Sequence, residues 1–415
     1  MKNVYIARQP IMDKEEQIFA YELLYRDVEQ KSSVEDGRYA TASVINNLLN
    51  KFGTQAILGG RKAFVKIDQK FLMNDLIFSV PKEFFIFSLL ESIEMDERVY
   101  ERIEQLYYKG YELCLNDTTC SLEYLKSYQA AFGFFKYVKI NIPAHLPASD
   151  MRECIAGLKK EGLAVIGTRI EEKSHQQVAK ELGCEYFQGF FFAKPNIIEN
   201  KELDASQLSI IRLYNLLMQD TNIDEIASEF EKNYAISVQL LQFINSGAFA
   251  FRKRISSIHH VLVLVGRIPL AQWLMLMIYS KSVTKTEESS PLILLIKERT
   301  ELMQNLLKKI EPNVRSNKLG EAYFVGVLSL LNVVFGVSLE QLLEHLYISD
   351  EVKDALLHDR GDLGELYALV REIEQFNTDA IEVFAKKHGL DANDINGVVA
   401  QCIEDVNRFE MRETK

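Results

Sequence analysis

Cysteine is scarce here, and what there is follows no binding pattern. The five residues make an odd count, no CxxC occurs, and the closest pair, Cys114 and Cys120, lacks metal-like spacing. That excludes a zinc ribbon or a disulfide framework and predicts free thiols in a reducing cytoplasm. Positive charge is also lacking. A formal net charge of −11 excludes a general nucleic-acid binder. An uninterrupted apolar run is missing too. The nearest imitation of a membrane span, Val261 to Tyr279, is broken by Gly266, Arg267, Pro269 and Gln272. It reads as two short buried helices joined at Gly266–Pro269 rather than one span of ~20 residues. No signal peptide is read at Met1-Lys2-Asn3-Val4. The expectation is a cytoplasmic protein with no membrane partner.

What is present is apolar residue in quantity. Hydrophobic residues make up 47% of 415, enough to fill two or three domain cores, so wholesale disorder is excluded. The first half alternates strand and helix patterns about eight times. Strands are predicted at Val4–Gln9, Phe19–Arg26, Ala63–Ile67, Phe84–Leu89, Glu112–Leu115, Tyr137–Ile140, Ala164–Ile166 and Tyr186–Phe192. The first two are joined by the polar turn Asp13-Lys14-Glu15-Glu16 into a hairpin. Predicted helices include Gly37–Phe52, Met95–Lys109 ended by Gly110, Ser149–Glu161 and Ser174–Leu182. The rhythm predicts an α/β barrel, with a doubly wound open sheet as the alternative.

The second strand organises the rest. Phe19, Tyr21, Leu23 and Tyr25 share one face; Ala20, Glu22, Leu24 and Arg26 share the other. An acid on an apolar inward face needs a positive partner, so either Glu22 binds something or the strand lies at the mouth of a site. The alternative is a half-exposed edge strand. In a barrel the chemistry sits at the C-terminal strand ends. The polar residues there are Glu22, Lys66, Ser88, Asn116, Asp117, Lys139, Asn141, Thr168 and Gln188.

These residues sit within a pattern that resembles the EAL domain, over about residues 3 to 196. Its signposts are Tyr21-Glu22-Leu23-Leu24-Tyr25-Arg26, Phe64-Val65-Lys66-Ile67, Leu90-Glu91-Ser92, Leu115-Asn116-Asp117, Val138-Lys139-Ile140-Asn141 and the block from Gly183 to Pro195. The resemblance implies a TIM-like barrel, which in active members hydrolyses cyclic di-GMP with two Mg²⁺ or Mn²⁺ ions. Against that pattern, Lys66 stands for a metal-binding Asn, Ser88 for Glu, Asn116 for the first Asp of a pair, Asn141 for Asp and Thr168 for Glu. Glu22, Arg26, Asp117, Lys139, Glu171 and Gln188 remain. Hard divalent ions want several carboxylates. Two acids beside two lysines do not supply them, so the expectation is a barrel with no metal, no cofactor and no phosphodiesterase activity. Mg²⁺ or Mn²⁺ enters only under the alternative of an active enzyme with an unusual site. Glu22, Arg26, Asp117 and Gln188 are the residues left to meet a ligand. Lys66 is expected to pair with Glu22, Asp117 or both, with Lys139 sharing the task.

After a boundary at 197–204 the period becomes helical throughout. Ser206, Ser237 and Ser257 precede helices as caps, Gly247 and Gly266 follow them, and Ser338-Leu339-Glu340-Gln341 has capping-box spacing. Residues 205–415 are predicted as one all-α domain, after a barrel at 1–196. This half resembles the HDOD domain at Asn245-Ser246-Gly247-Ala248-Phe249, at Ile255-Ser256-Ser257-Ile258 and in the helix around Phe324–Leu330, with Leu331-Asn332 where a catalytic relative carries His-Asp. The literal dipeptide His358-Asp359 lies at a helix end, an ordinary place for a histidine near the helix dipole. Together the two resemblances imply a bacterial signal transduction protein, a degenerate EAL barrel plus an HDOD module. Its expected partners are other signalling proteins, a second copy of the chain and, as an open question, cyclic di-GMP.

Overall fold

A computed structural model describes residues 4–27, 54–117, 122–142, 148–193, 203, 205–219, 221–245, 257–282 and 291–413. The predicted helix at 37–52, the linker apart from residue 203, the segment 246–256 and the side chains of Arg26 and Asp117 lie outside the described residues.

Eight strands close into a barrel in chain order: β1 Val4–Met12, β2 Ile18–Asp27, β3 Lys62–Ile67, β4 Phe85–Leu89, β5 Glu112–Asp117, β6 Tyr137–Asn141, β7 Ala164–Thr168 and β8 Tyr186–Gln188. The barrel, not the open sheet, is what forms. β1 runs antiparallel to both β2 and β8, and every other neighbouring pair is parallel. The hairpin turn is held by Asp13, whose carboxylate accepts from the amides of Glu15 and Gln17 at 3.0 and 2.9 Å. The helix Glu97–Tyr108 begins where Asp96 accepts from the Val99 amide, and Gly110 at φ 84° ends it.

Alternation along the strands sorts the interior into layers. Ile11, Ala20, Phe64, Ile86, Cys114, Tyr137 and Ile166 form one apolar layer, closed on one side by Phe19 stacked on Tyr186. Two residues further along each parallel strand stand Glu22, Lys66, Ser88, Asn116, Lys139 and Thr168. β8 ends sooner than its pattern predicts, at Gln188 rather than 192. Gly189 turns there with φ 154°, and a Cβ on it would lie 1.8 Å from the Ile170 carbonyl oxygen. The Ile170 amide donates to the Gln188 carbonyl at 3.1 Å, so this close approach fixes where Gln188 sits.

The compact units are not continuous stretches of the chain. Residues 1–194 form one unit together with 287–298 and 369–415; 195–286 and 299–368 form the other. The reason is visible on the outer face of β1 and β2. Tyr21 and Ile18 bury against Leu294 and Val406. The Arg61 guanidinium grips the Glu410 carboxylate through two bonds of 2.7 and 2.6 Å while its Nε donates to the Ile18 carbonyl. Arg8 stacks over the Tyr21 ring and donates to Asn407 and to the Ile57 carbonyl, and Asn407 donates to the Ala56 carbonyl. The helix Ala392–Glu413 is thus part of the barrel's own packing.

The second unit is helical among its described residues. The helix Ile258–Val265 meets the Arg267–Met275 part of the helix Arg267–Ser282 at an angle of 111°, so the apolar stretch from 261 is two helices, as its breaks predict. The residues 316–335 are long and apolar enough to cross a membrane by composition, but 56% of that stretch is buried in the protein and the helix breaks at Leu330. Gly326 lets two helices approach, since a Cβ there would lie 2.8 Å from the Thr300 Cα. Ser338 and Gln341 form the predicted capping box. His358 ends its helix and Asp359 caps it at φ 53°. Cys114, Cys184 and Cys402 are buried free thiols, but Cys154 is disulfide-bonded, which corrects the expectation of free thiols throughout.

The clamp on the barrel has a measurable worth. Glu410→Ala leaves the Arg61 guanidinium without its two-bond partner in a half-buried place, and is expected to cost about 2 kcal/mol. A fall in the urea midpoint of the full chain reads this out; an unchanged midpoint would show the contact to be incidental.

Candidate functional site

The polar layer gathers at one carboxylate. Glu22 on β2 is 3% exposed, and Lys139 on β6, 2% exposed, reaches it across the barrel. The Lys139 Nζ donates to Glu22 Oε1 at 2.6 Å and lies over the Phe64 ring, 4.9 Å from its centre. Lys66 on β3 approaches the same oxygen at 3.7 Å, with 39% of its side chain exposed. The other oxygen, Oε2, accepts from Gln188 Nε2 at 2.5 Å, and the same Gln188 nitrogen lies 2.8 Å from Gln9 Oε1. Both oxygens of the buried acid are therefore engaged by side chains of other strands.

Burial pushes the Glu22 carboxyl up, but the opposing charges of Lys139 and Lys66, with the hydrogen bonds from Lys139 and Gln188, outweigh it. The group is held at about 2, against an ordinary 4.5. Glu22 is a fixed anion.

The expected partnership is present with its emphasis reversed. Lys66 does face Glu22, but Lys139 makes the short bond. The register explains this. Glu22 pairs with Phe64, so Lys66 stands one step closer to the open end and half in water, whereas Lys139 comes from the far wall at the depth of the carboxylate. The other predicted residues are arranged around this centre without joining it. Ser88 is fully buried beside the Cys114 thiol. Asn116 turns its amide to Glu91 at 3.3 Å. Thr168 donates to the Ile140 carbonyl at 3.3 Å, and Asn141 pairs with it across the strands. Glu171 is exposed, beyond the end of β7. Gln9 and Glu91 were not among the predicted site residues. Gln9 emerges only from the register of the hairpin, where it stands directly opposite Glu22.

This donor set does not fit a two-ion centre. Hard divalent ions need several oxygen ligands, mostly anionic. Among the described residues no three His, Cys, Asp or Glu converge, the Glu22 carboxylate is occupied on both oxygens, and two ammonium groups stand beside it.

The comparisons agree with the division read along the chain. Residues 2–195 match the EAL domain and residues 206–342 the HDOD domain. A relative from Vibrio cholerae, named cyclic di-GMP phosphodiesterase CdgJ, is 26% identical over 418 residues, 99% of this chain and 94% of that protein. The Bacillus subtilis protein YuxH, whose name states no activity, is 28% identical over 389 residues, 91% of this chain and 92% of its own. Among solved structures, the Bacillus subtilis YkuI protein with an EAL domain, in complex with substrate c-di-GMP and calcium, is 18% identical with a TM-score of 0.38. The match covers 61% of this chain and 69% of that one.

One expectation is corrected by these findings. The replaced ligands led to a chain without activity, yet a relative that spans 99% of this one is named as a phosphodiesterase. Inactivity is therefore not the reading that the relatives support.

The ion pair sets an acid limit. Because the folded Glu22 group titrates well below its unfolded value, it contributes stability that is complete above pH ~5 and is lost as pH falls toward about 2. That contribution is about 3 kcal/mol by the size of the shift. Lys139→Met is expected to remove most of it at neutral pH, whereas Lys139→Met with Glu22→Gln should cost less than the single change, since no buried charge is stranded. Urea unfolding at pH 7 of both variants checks this; an equal cost for the two would refute the coupling.

Proposed function

We propose that this chain, an EAL domain at residues 2–195 followed by an HDOD domain at 206–342, is a signalling protein that takes cyclic di-GMP at the barrel mouth and hydrolyses it. The observation that carries the reading is the end-to-end alignment with a relative named for that activity. The geometry is compatible with the ligand. A phosphodiester is an anion that needs directed N–H donors and positive charge, and the mouth offers the part-exposed ammonium of Lys66, with the buried charge of Lys139 behind it and an apolar floor beneath. Gln188 and Glu22 fix where those cations stand. The strand ends are also where barrels place their chemistry.

In this reading the helical half works by contact with other signalling proteins. No His/Asp cluster is found among its described residues, and His358-Asp359 is taken up in ending a helix.

The full chain incubated with cyclic di-GMP should yield the linear dinucleotide by chromatography. Glu22→Gln, which releases Lys139 from its position, should lower kcat/KM by about 10²-fold or more, the scale of losing one oriented electrostatic group. A full chain that neither binds the dinucleotide nor turns it over would defeat the reading.

A further inference from the structure

We propose that the ammonium groups of Lys139 and Lys66 stand in for divalent cations, so that the barrel mouth engages its phosphodiester ligand without a metal ion. The ligand class rests on the reading given above; the claim about cations rests on this chain's own residues.

Three observations converge. The first is occupancy. Glu22 Oε1 holds Lys139 at 2.6 Å and faces Lys66 at 3.7 Å, and Oε2 holds Gln188 at 2.5 Å. An ion seeking this carboxylate would have to displace an ammonium that is itself almost completely buried, and would strand it without its acid. The second is charge. Among the described side chains, two ammonium groups stand against the one carboxylate of Glu22, and each repels a divalent ion and attracts an anion. The third is the surrounding wall. Ser88, Asn116, Asn141 and Thr168 are neutral. Asn116 spends its amide on Glu91, and Thr168 spends its hydroxyl on the Ile140 carbonyl. These four neutral side chains are weak ligands for hard divalent ions.

The two lysines divide the task. Lys139 is fixed by its short bond, its burial and the Phe64 ring, so it supplies a positive charge that does not move. Lys66 is longer in its contact and half exposed, and it is the ammonium that a phosphate entering the mouth meets first. A metal ion would offer both charges and a geometry in one particle; here the charges arrive on two side chains that folding has already placed.

Mn²⁺ titration of the full chain without nucleotide, followed by electron paramagnetic resonance, tests the cation claim on its own. No saturable binding is expected. Saturable binding that Glu22→Gln removes would overturn the proposal. Lys66→Asn combined with Ser88→Glu should raise Mn²⁺ affinity by about tenfold or more, and no gain in a folded variant would count against it. If that variant does not fold, the titration of the natural chain still decides. Calorimetry with cyclic di-GMP should give the same affinity in chelator and in excess Mg²⁺, within about twofold, and Lys66→Met should weaken it in chelator. An affinity that rises about tenfold with metal would overturn the proposal. A chain that fails to bind the dinucleotide under every condition would defeat the ligand reading instead, while the Mn²⁺ result would stand apart from it.

Discussion

One ion pair sets the terms for the barrel. Glu22 is an acid on the inward face of β2, surrounded by aliphatic and aromatic side chains, and a buried carboxylate must either be neutralised or find a cation. Lys139 supplies the cation from the opposite wall at 2.6 Å. Once that pair exists, neighbouring positions are constrained. Phe64 packs beneath the ammonium, Gln188 must hold the second carboxylate oxygen, and Gln9 must face Gln188. The short final strand and the sharp turn at Gly189 then hold Gln188 at the right depth. A buried pair of this kind is not evidence of great stability. Its effect is to specify a single arrangement of the polar layer.

Much of this could be read from the sequence by counting. Alternation with period two placed Glu22 on an inward face, and the eightfold rhythm placed its strand in a barrel. The polar positions two residues beyond the apolar layer were recoverable strand by strand, from Phe64 to Lys66, from Ile86 to Ser88 and from Tyr137 to Lys139. What counting could not give was depth across the barrel. Pattern within a strand says which face a side chain takes; it does not say that Lys139 reaches the carboxylate more closely than Lys66 on the adjacent strand. That depends on the stagger of strands that share no sequence signal. Gln9 was missed for a related reason, because it became visible only when the hairpin register paired it with Glu22.

The division of the chain was less legible. The change from alternating to helical period after residue 195 is real, but a helical period does not say which core a helix joins. The helix Ala392–Glu413 has an ordinary amphipathic pattern, and nothing in it announces that Asn407 and Glu410 will meet Arg8, Ala56 and Arg61. Activity was the other weak point. The sequence reading took replaced carboxylates as lost function, whereas a relative aligned over nearly the whole chain is named as a phosphodiesterase.

The grip of Arg61 on Glu410 joins residues 349 positions apart. During synthesis the strands of the barrel leave the ribosome long before the helix that covers them. Domains usually fold in the order they emerge, yet here Ile18 and Tyr21 pack with Leu294 and with Val406, the second of which is made after the helical unit. In that interval the nascent barrel carries an uncovered apolar patch, which is the kind of surface that chaperones recognise and that aggregates capture. The price of tying the two ends of the chain to one core is a barrel that matures late, and whose completion reports that everything between has already been translated.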